Sequence, residues 1–97
     1  MSDDALGKAV DAAIRPTVAS LGAWGVEEAH WLPDHDGHPV IWLRTTTEIQ
    51  RVALQAQVWL LPQVQIILTR LSVPYRSVAR LRLFVTSAEG ESGLFRE

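Results

Sequence analysis

One short loop constrains the fold of this chain more than any other feature. It contains Asp36-Gly37, a dipeptide that favours the tight turn of a β-hairpin, and a proline stands on either side of it. The flanking runs, residues 26–32 and 40–46, are rich in Val, Ile, Trp and Thr, which are enriched in strands. Prolines cost little at the ends of strands. The segment is therefore predicted to be a β-hairpin, and any fold of the chain must contain it.

The segments on both sides of the hairpin have helical periodicity. Apolar residues recur at spacings of three and four through residues 3–21 and 47–61, which predicts an amphipathic helix in each. Pro16 lies inside the first segment, so that helix is expected either to bend there or to restart. Pro62 is expected to bend or restart the second. Residues 62–73 fit a further helix or a strand, and their composition does not decide between the two.

The C-terminal part of the sequence completes the predicted fold. Residues 74–77 are predicted to form a turn, and residues 78–87 alternate in polarity as a strand with one buried side does. Residues 88–97 are predicted to be a flexible tail. The order of elements predicts a single α+β domain over residues 1–97. Its fold is a two-layer helix–hairpin–helix(–helix)–strand arrangement with a small, mostly antiparallel sheet and helices on one face.

The composition excludes several classes of protein. At 97 residues the chain has room for one hydrophobic core, and its hydrophobic fraction of 47% is that of a globular domain. It has no cysteine, which excludes disulfides, a thiolate nucleophile and a cysteine-based zinc site. The start of the chain is acidic and no apolar run approaches the ~20 residues of a membrane span, so the expected location is the cytoplasm.

The charges are divided unevenly between the two halves of the chain. The net charge of −2 combines −5 in residues 1–43 with +3 in residues 44–97. An arginine-rich half can mark a surface that binds anions. The two halves can also neutralise one another, within the fold or across a dimer. The sequence pI of about 5.9 favours this second interpretation, because most nucleic-acid-binding domains are strongly basic.

Enzymatic chemistry has little support in the sequence. The chain lacks the glycine-framed serine of hydrolases, the phosphate-binding glycine loops and the H-E-x-x-H zinc motif. Glu27 and Glu28 are neighbours, and neighbours on a strand face opposite ways, so they are not expected to form a paired-carboxylate site. We therefore predict no enzymatic activity, no catalytic residue and no cofactor. Three histidines and two aspartates between His30 and His38 leave a metal-dependent activity as a distant third hypothesis.

The best candidate site is the side of the sheet that the helices leave uncovered. Arginines interleaved with aromatic residues can hold phosphates and stack bases, and the same residue types are enriched at protein interfaces. A third interpretation is a solvated surface, with the tryptophans in the core. The predicted binding residues are Trp42, Arg44, Arg76, Arg80, Arg82 and Phe84.

The N-terminal part of the sequence resembles a known family. Ile14-Arg15-Pro16-Thr17-Val18, Leu21-Gly22 and Val26-Glu27-Glu28 look like the opening of bacterial ribosome-maturation factors, in which a proline-containing helix leads into a hairpin. The order of elements also resembles the type II K-homology topology, which implies an RNA-associated module. The chain departs from that topology where Leu60-Leu61-Pro62-Gln63 stands in place of the G-x-x-G loop, so no functional residue is carried over.

The sequence ranks three functions. The first is a non-catalytic interaction module that self-associates, with a homodimer as the expected form, or binds a protein partner. It would use the open sheet face or an apolar helix surface. The second is an RNA- or ribosome-associated module that uses the arginine and aromatic residues of the same sheet face. The third is the metal-dependent activity at the histidine loop. No membrane partner is expected.

Overall fold

The hairpin forms the first two strands of a three-stranded sheet. The computed structural model describes residues 3–94, with the side chains of residues 5–92. A single 3-10 turn, Gly22–Trp24, precedes the hairpin. The helices and strands in chain order are α1 (Asp3–Ser20), β1 (Val26–Pro33), β2 (Pro39–Thr45), α2 (Glu48–Gln55), α3 (Leu60–Arg70), α4 (Tyr75–Ala79), β3 (Arg82–Ser87) and α5 (Ala88–Leu94).

The α+β class is confirmed, and the sheet is mixed where the sequence predicted a mostly antiparallel one. The strand order is β1-β2-β3, with β1 antiparallel to β2 and β3 parallel to β2. A parallel pair needs a long crossover connection. Here α2, α3 and α4 carry the chain from the end of β2 back to the level of its start. Arg82 consequently pairs with Val40, near the beginning of β2.

The core lies between one face of the sheet and the helices. The central strand β2 contributes Ile41 and Leu43, which are fully buried. The helix α1 contacts β1 and α3, whereas α2 contacts β3 and β2. Three of the four tryptophans pack against this core from its margin, and the fourth, Trp42, lies on the opposite face of the sheet. The remaining buried apolar residues of this core are Val10, Ala13, Leu21, Val26, Leu54, Leu60, Val64, Ile67, Leu68, Val73, Val78 and Leu81. Val40 is also buried but lies on the opposite face of the sheet.

The two helix-borne prolines behave differently from one another. Pro16 does not end α1, because the helix continues through it to Ser20. Pro62 is the third residue of α3. A backbone amide at this position has no carbonyl partner within the helix, so the missing N–H of proline costs no hydrogen bond there. The first helical donor after it is the Gln63 amide, which bonds to the Trp59 carbonyl at 3.0 Å. The break therefore falls at residues 56–59, before the proline, and α2 and α3 meet there at 82°. Residues 62–70 are helical.

Three predictions about the C-terminal third were wrong in detail. The segment predicted as a turn belongs to α4, in which the amides of Ser77 and Val78 bond to the Pro74 carbonyl at 3.0 Å. The last strand consequently begins at Arg82 and not at residue 78. Residues 88–94, predicted to be a flexible tail, form α5 because β3 and α2 supply hydrogen-bond partners to it, as described below. Residues 95–97 lie outside the described part of the chain.

A capping box begins α2 and depends on the glycine beside it. The Gln50 amide bonds to the Thr47 hydroxyl at 3.2 Å, and the Thr47 amide bonds back to the Gln50 side chain at 2.9 Å. Gly25 has a φ of 88°, and a Cβ placed on it would lie 2.2 Å from the Gln50 side chain. Gly37, in the hairpin loop, has a φ of 84° with nothing near its own Cβ position.

The acidic side chain of Glu48 ties α2 to the last strand. Its Oε2 accepts a bond from Arg51 Nε at 2.9 Å and another from the Ser87 hydroxyl, while the Glu48 amide donates to Glu89 Oε1 at 3.2 Å. The Arg51 guanidinium, followed by the Ser87 hydroxyl, holds the pKa of the Glu48 carboxyl below its usual value of 4.5. Elements that are distant in sequence are thus joined by one carboxylate.

We expect Gly25→Ala to be more destabilising than Gly37→Ala. Both substitutions force an alanine into the left-handed region, at a cost of about 1 kcal/mol. Only Gly25→Ala also displaces Gln50 from the capping box, which adds about 1 kcal/mol. Urea denaturation of the two variants measures this difference. Equal losses of stability at the two positions would show that the capping box contributes nothing.

We expect Glu48→Gln to lower the Tm at pH 7 and to have less effect in acid. The pKa of Glu48 is lower in the folded chain than in the unfolded chain, so its ionised form stabilises the fold above about pH 4.5. This stabilisation is lost as the pH falls through the folded value. Thermal melts of both proteins between pH 7 and pH 3 should converge. A Tm difference that stays constant over this range would contradict the assignment.

Candidate interaction surface

The face of the sheet opposite the core carries three rows of side chains that run across the strands. Because side chains alternate along a strand, residues of β2 that point away from the core share a face with their register partners on β1 and β3. We call this surface the open face. Its rows are Glu28–Arg44–Thr86, His30–Trp42–Phe84 and Leu32–Val40–Arg82.

The middle row of the open face is a continuous stack of rings. His30 and Trp42 have ring centroids 5.3 Å apart at an interplanar angle of 9°, and Trp42 and Phe84 are 5.9 Å apart at 22°. The Arg82 guanidinium lies 5.8 Å from the centre of the Phe84 ring. Phe84 is 45% exposed and Leu32, in the next row, is 59% exposed. The face therefore presents apolar and aromatic surface to its surroundings.

One end of the open face is acidic, because three carboxylates surround Arg44. Its guanidinium contacts Glu28 and lies 3.4 Å from Glu27 Oε1 and 3.5 Å from Glu91 Oε2. The Arg44 side chain is one-third exposed. These four side chains sum to −2, so this end of the face repels anions in spite of its arginine.

The convergence of Glu27 and Glu28 on one arginine corrects the expectation that they face opposite ways. The register of the hairpin shifts between Val26 and Glu28, which is a β-bulge. An extra residue at a bulge re-aims the side chains beside it, so alternation fails locally. Residues 26–28 themselves contain no glycine or proline that would mark the bulge in the sequence. Glu91 was missed for a second reason, because α5 was predicted to be a flexible tail.

Four of the six predicted binding residues lie together on the open face, namely Trp42, Arg44, Arg82 and Phe84. Arg76 and Arg80 do not join them. Arg76 belongs to α4 and Arg80 ends it, because residues 75–79 are helical and not extended. With His38 and Tyr75 these two arginines line a separate hollow of about 470 Å³ beside the loop of the hairpin.

The loop that contains His35 and His38 is stabilised by the Asp34 carboxylate, which accepts hydrogen bonds from backbone amides as in a tight turn. Asp34 Oδ1 accepts bonds from the amides of Asp36 at 2.9 Å and His38 at 3.0 Å. The bond from the His38 amide is the main reason that the pKa of Asp34 lies below its usual value. His35 and Asp36 are 3.4 Å apart and both exposed. Among the described residues, no three His, Asp or Glu side chains are grouped so that they could hold a metal ion.

A second apolar surface lies on the helices. On α2, Ile49 is 82% exposed and Val52 is 56% exposed, and on α3 Leu61 and Ile66 are also exposed.

No single helix within residues 3–94 is long and apolar enough to cross a membrane. The bent pair α2 and α3 reaches that length and composition only when the two helices are taken together.

Comparison with known proteins identifies no relative of this chain. No protein-family model matches it, and no curated protein or solved structure is significantly similar to it. The resemblance to ribosome-maturation factors and to the K-homology topology accordingly stays a prediction.

We expect Arg44→Gln to destabilise the fold. Arg82→Gln, a substitution on the same open face, should leave the stability nearly unchanged. Removing Arg44 leaves three carboxylates close together, which should cost about 1–2 kcal/mol at low salt. Arg82 pairs with no carboxylate among the described residues, so its loss should stay within about 0.5 kcal/mol. Urea denaturation at 20 mM and 500 mM NaCl measures both. The Arg44→Gln penalty should shrink at high salt, since salt screens the repulsion.

Proposed function

We propose that this protein is a non-catalytic interaction module that self-associates through its open face. The observation that carries the proposal is an apolar and aromatic strip on a sheet face without a helix layer, in which Leu32 and Phe84 are exposed and Trp42 is partly exposed. A small domain gains stability when such a strip is buried. Trp and Arg are enriched where protein interfaces carry most binding energy, and here Trp42 belongs to the strip and Arg82 lies beside it.

The distribution of charge on the open face favours a second copy as the partner. One end carries Glu27, Glu28 and Glu91 around Arg44, and the other end carries Arg82. A two-fold axis through the Trp42 row would place the acidic end of each copy over the arginine end of the other. Pairing of one patch with itself about such an axis is the commonest form of homodimer.

The size of the face sets the strength that we expect of this dimer. Three strands about 4.8 Å apart and about 20 Å long present roughly 300 Å². A standard interface buries about 800 Å² on each partner. Self-association should therefore be weak, with a dissociation constant in the micromolar range or above, and should depend visibly on protein concentration.

RNA binding is the second candidate function, and the Trp42, Phe84 and Arg82 cluster is the observation that favours it. Stacked rings beside an arginine suit single-stranded bases. The acidic end of the same face opposes it, because the carboxylates around Arg44 repel phosphates. Salt separates the two functions: RNA affinity falls steeply as salt rises, whereas a dimer driven mainly by apolar burial persists.

The test is light scattering coupled to gel filtration, over protein concentrations from 10 to 500 μM. Wild-type protein should move toward twice its monomer mass of 10.8 kDa as the concentration rises. Phe84→Glu should remain monomeric, because it buries a charge in the centre of the interface. Arg82→Glu should weaken association, since it places acid over acid, and added salt should reduce that effect.

Ile49→Glu is the matched control. Ile49 is more exposed than Phe84 but lies on α2, so this variant should associate as the wild type does. Association that is abolished by Ile49→Glu and retained by Phe84→Glu would transfer the interface to the helix surface. A wild-type chain that is monomeric at 500 μM would refute self-association through this face.

A further inference from the structure

A groove runs along the outer edge of β3. Two adjoining hollows of about 430 Å³ and 250 Å³ share Val85 and together follow the strand from Leu81 to Ser87. The opposite wall of the groove comes from α2, the break at residues 56–59 and the start of α3, and α5 contributes Gly90 and Glu91 to the smaller hollow. The other residues of this wall are Glu48, Arg51, Gln55, Gln57, Leu60 and Leu61.

The strand side of the groove is an unpaired sheet edge. β3 is an outer strand whose only strand neighbour is β2. Within residues 3–94, no backbone hydrogen bond joins the outward side of Arg82–Thr86 to another element. An edge strand presents a row of free amides and carbonyls, and an extended main chain satisfies them all at once. This edge therefore has the hydrogen-bonding pattern of a site for strand addition.

The side chains beside the edge are incompletely covered. On the central strand, Ile41 and Leu43 are fully buried, whereas their register partners Leu83 and Val85 on β3 are only half-buried. On the far wall Leu61 is 39% exposed. An added strand would send alternate side chains toward these residues, because side chains alternate along a strand.

We propose that this groove binds an extended peptide segment of a partner protein as a fourth strand. Its apolar residues, at every second position, pack against Leu61, Leu83 and Val85. The intervening residues lie beside Arg82 and Phe84 on the open side. Among the described side chains, Arg82 is the only charged one that lines the larger hollow, so an acidic residue in the peptide is favoured beside it.

A second copy of the folded chain does not fit this groove as well as a peptide does. The outer edge of β3 has α2 beside it, and a β3 strand from another copy would bring its own α2 to the same place. An isolated peptide has no such obstruction. Recognition of peptides by strand addition beside a helix needs a free edge and pockets for alternate side chains, and both are present here.

This binding site goes beyond the proposed self-association and is separable from it. Leu61 lies on the groove wall and outside the open face, so its substitution should alter peptide binding and leave self-association intact. Phe84 borders both surfaces and is not used as a probe of the groove. Failure of either proposal can therefore be recognised without the other.

The experiment uses a synthetic library of fluorescein-labelled nonapeptides in which Val, Leu or Ile alternates with Glu, Thr or Ser. Fluorescence anisotropy against the full chain should reveal peptides that bind in the micromolar range, with Glu-containing members favoured. In amide-resolved NMR, the bound peptide should shift the signals of residues 82–86 and slow their hydrogen exchange. Peptides with N-methylated backbones should lose at least tenfold in affinity, because they lack the donors that a fourth strand needs.

Leu61→Glu and Ile66→Glu form the matched pair of protein variants. Both residues are exposed leucine or isoleucine side chains on α3, but only Leu61 lines the groove. Leu61→Glu should weaken peptide binding at least tenfold, and Ile66→Glu should leave it unchanged. No binding by any library member, equal binding of N-methylated peptides, or a loss confined to Ile66→Glu would overturn the proposal.

Discussion

The parallel pairing of β3 with β2 is the contact on which the rest of the structure depends. It joins residues 40–45 to residues 82–87, so the chain between them must make a crossover connection. Closing a connection of that length has an entropic cost that the backbone ladder alone does not recover. The burial of Ile41 and Leu43 on one side of the ladder offsets this cost. The helices of the crossover help to cover these two side chains. Helix packing and strand pairing therefore stabilise one another.

The same pairing creates the two surfaces to which we assign binding. With β2 in the centre, its outward residues Trp42 and Arg44 acquire neighbours on both sides, which builds the open face. With β3 outermost, its far edge is left beside α2. Had β3 paired with β1 instead, Phe84 would stand two strands from Trp42 and the ring stack would not exist. The functional surfaces are thus consequences of strand order.

The local elements could be predicted from the sequence where short-range chemistry decides them. Asp36-Gly37 between strand-forming runs marks the hairpin, and the alternation of Arg82, Phe84 and Thr86 correctly assigns them to the face away from the core. Prediction from the sequence was wrong where residues that are distant in the chain stabilise an element. Residues 88–94 are polar, and their helix is held by Ser87 and Arg44 through Gly90 and Glu91.

Two further features could not be predicted for the same physical reason. The bulge at Val26–Glu28 is accompanied by the contacts of Glu27 and Glu28 with Arg44, which lies on the neighbouring strand. The direction of β3 depends on how α2, α3 and α4 pack between β2 and β3, because a connection of this length allows either a parallel or an antiparallel strand. Local propensity predicts neither the bulge nor the direction of β3, because each depends on contacts that are made only in the folded chain.

The two proposed binding surfaces meet at Phe84 and Arg82, and this shared border has a thermodynamic consequence. A fourth strand added to β3 widens the sheet by about 4.8 Å and extends the open face by its own outward side chains. A wider face buries more apolar area against a second copy, so peptide binding should strengthen self-association. Linkage requires the reverse as well, with dimerisation raising peptide affinity by the same factor. Two weak sites on a small sheet would in this way act as one cooperative unit.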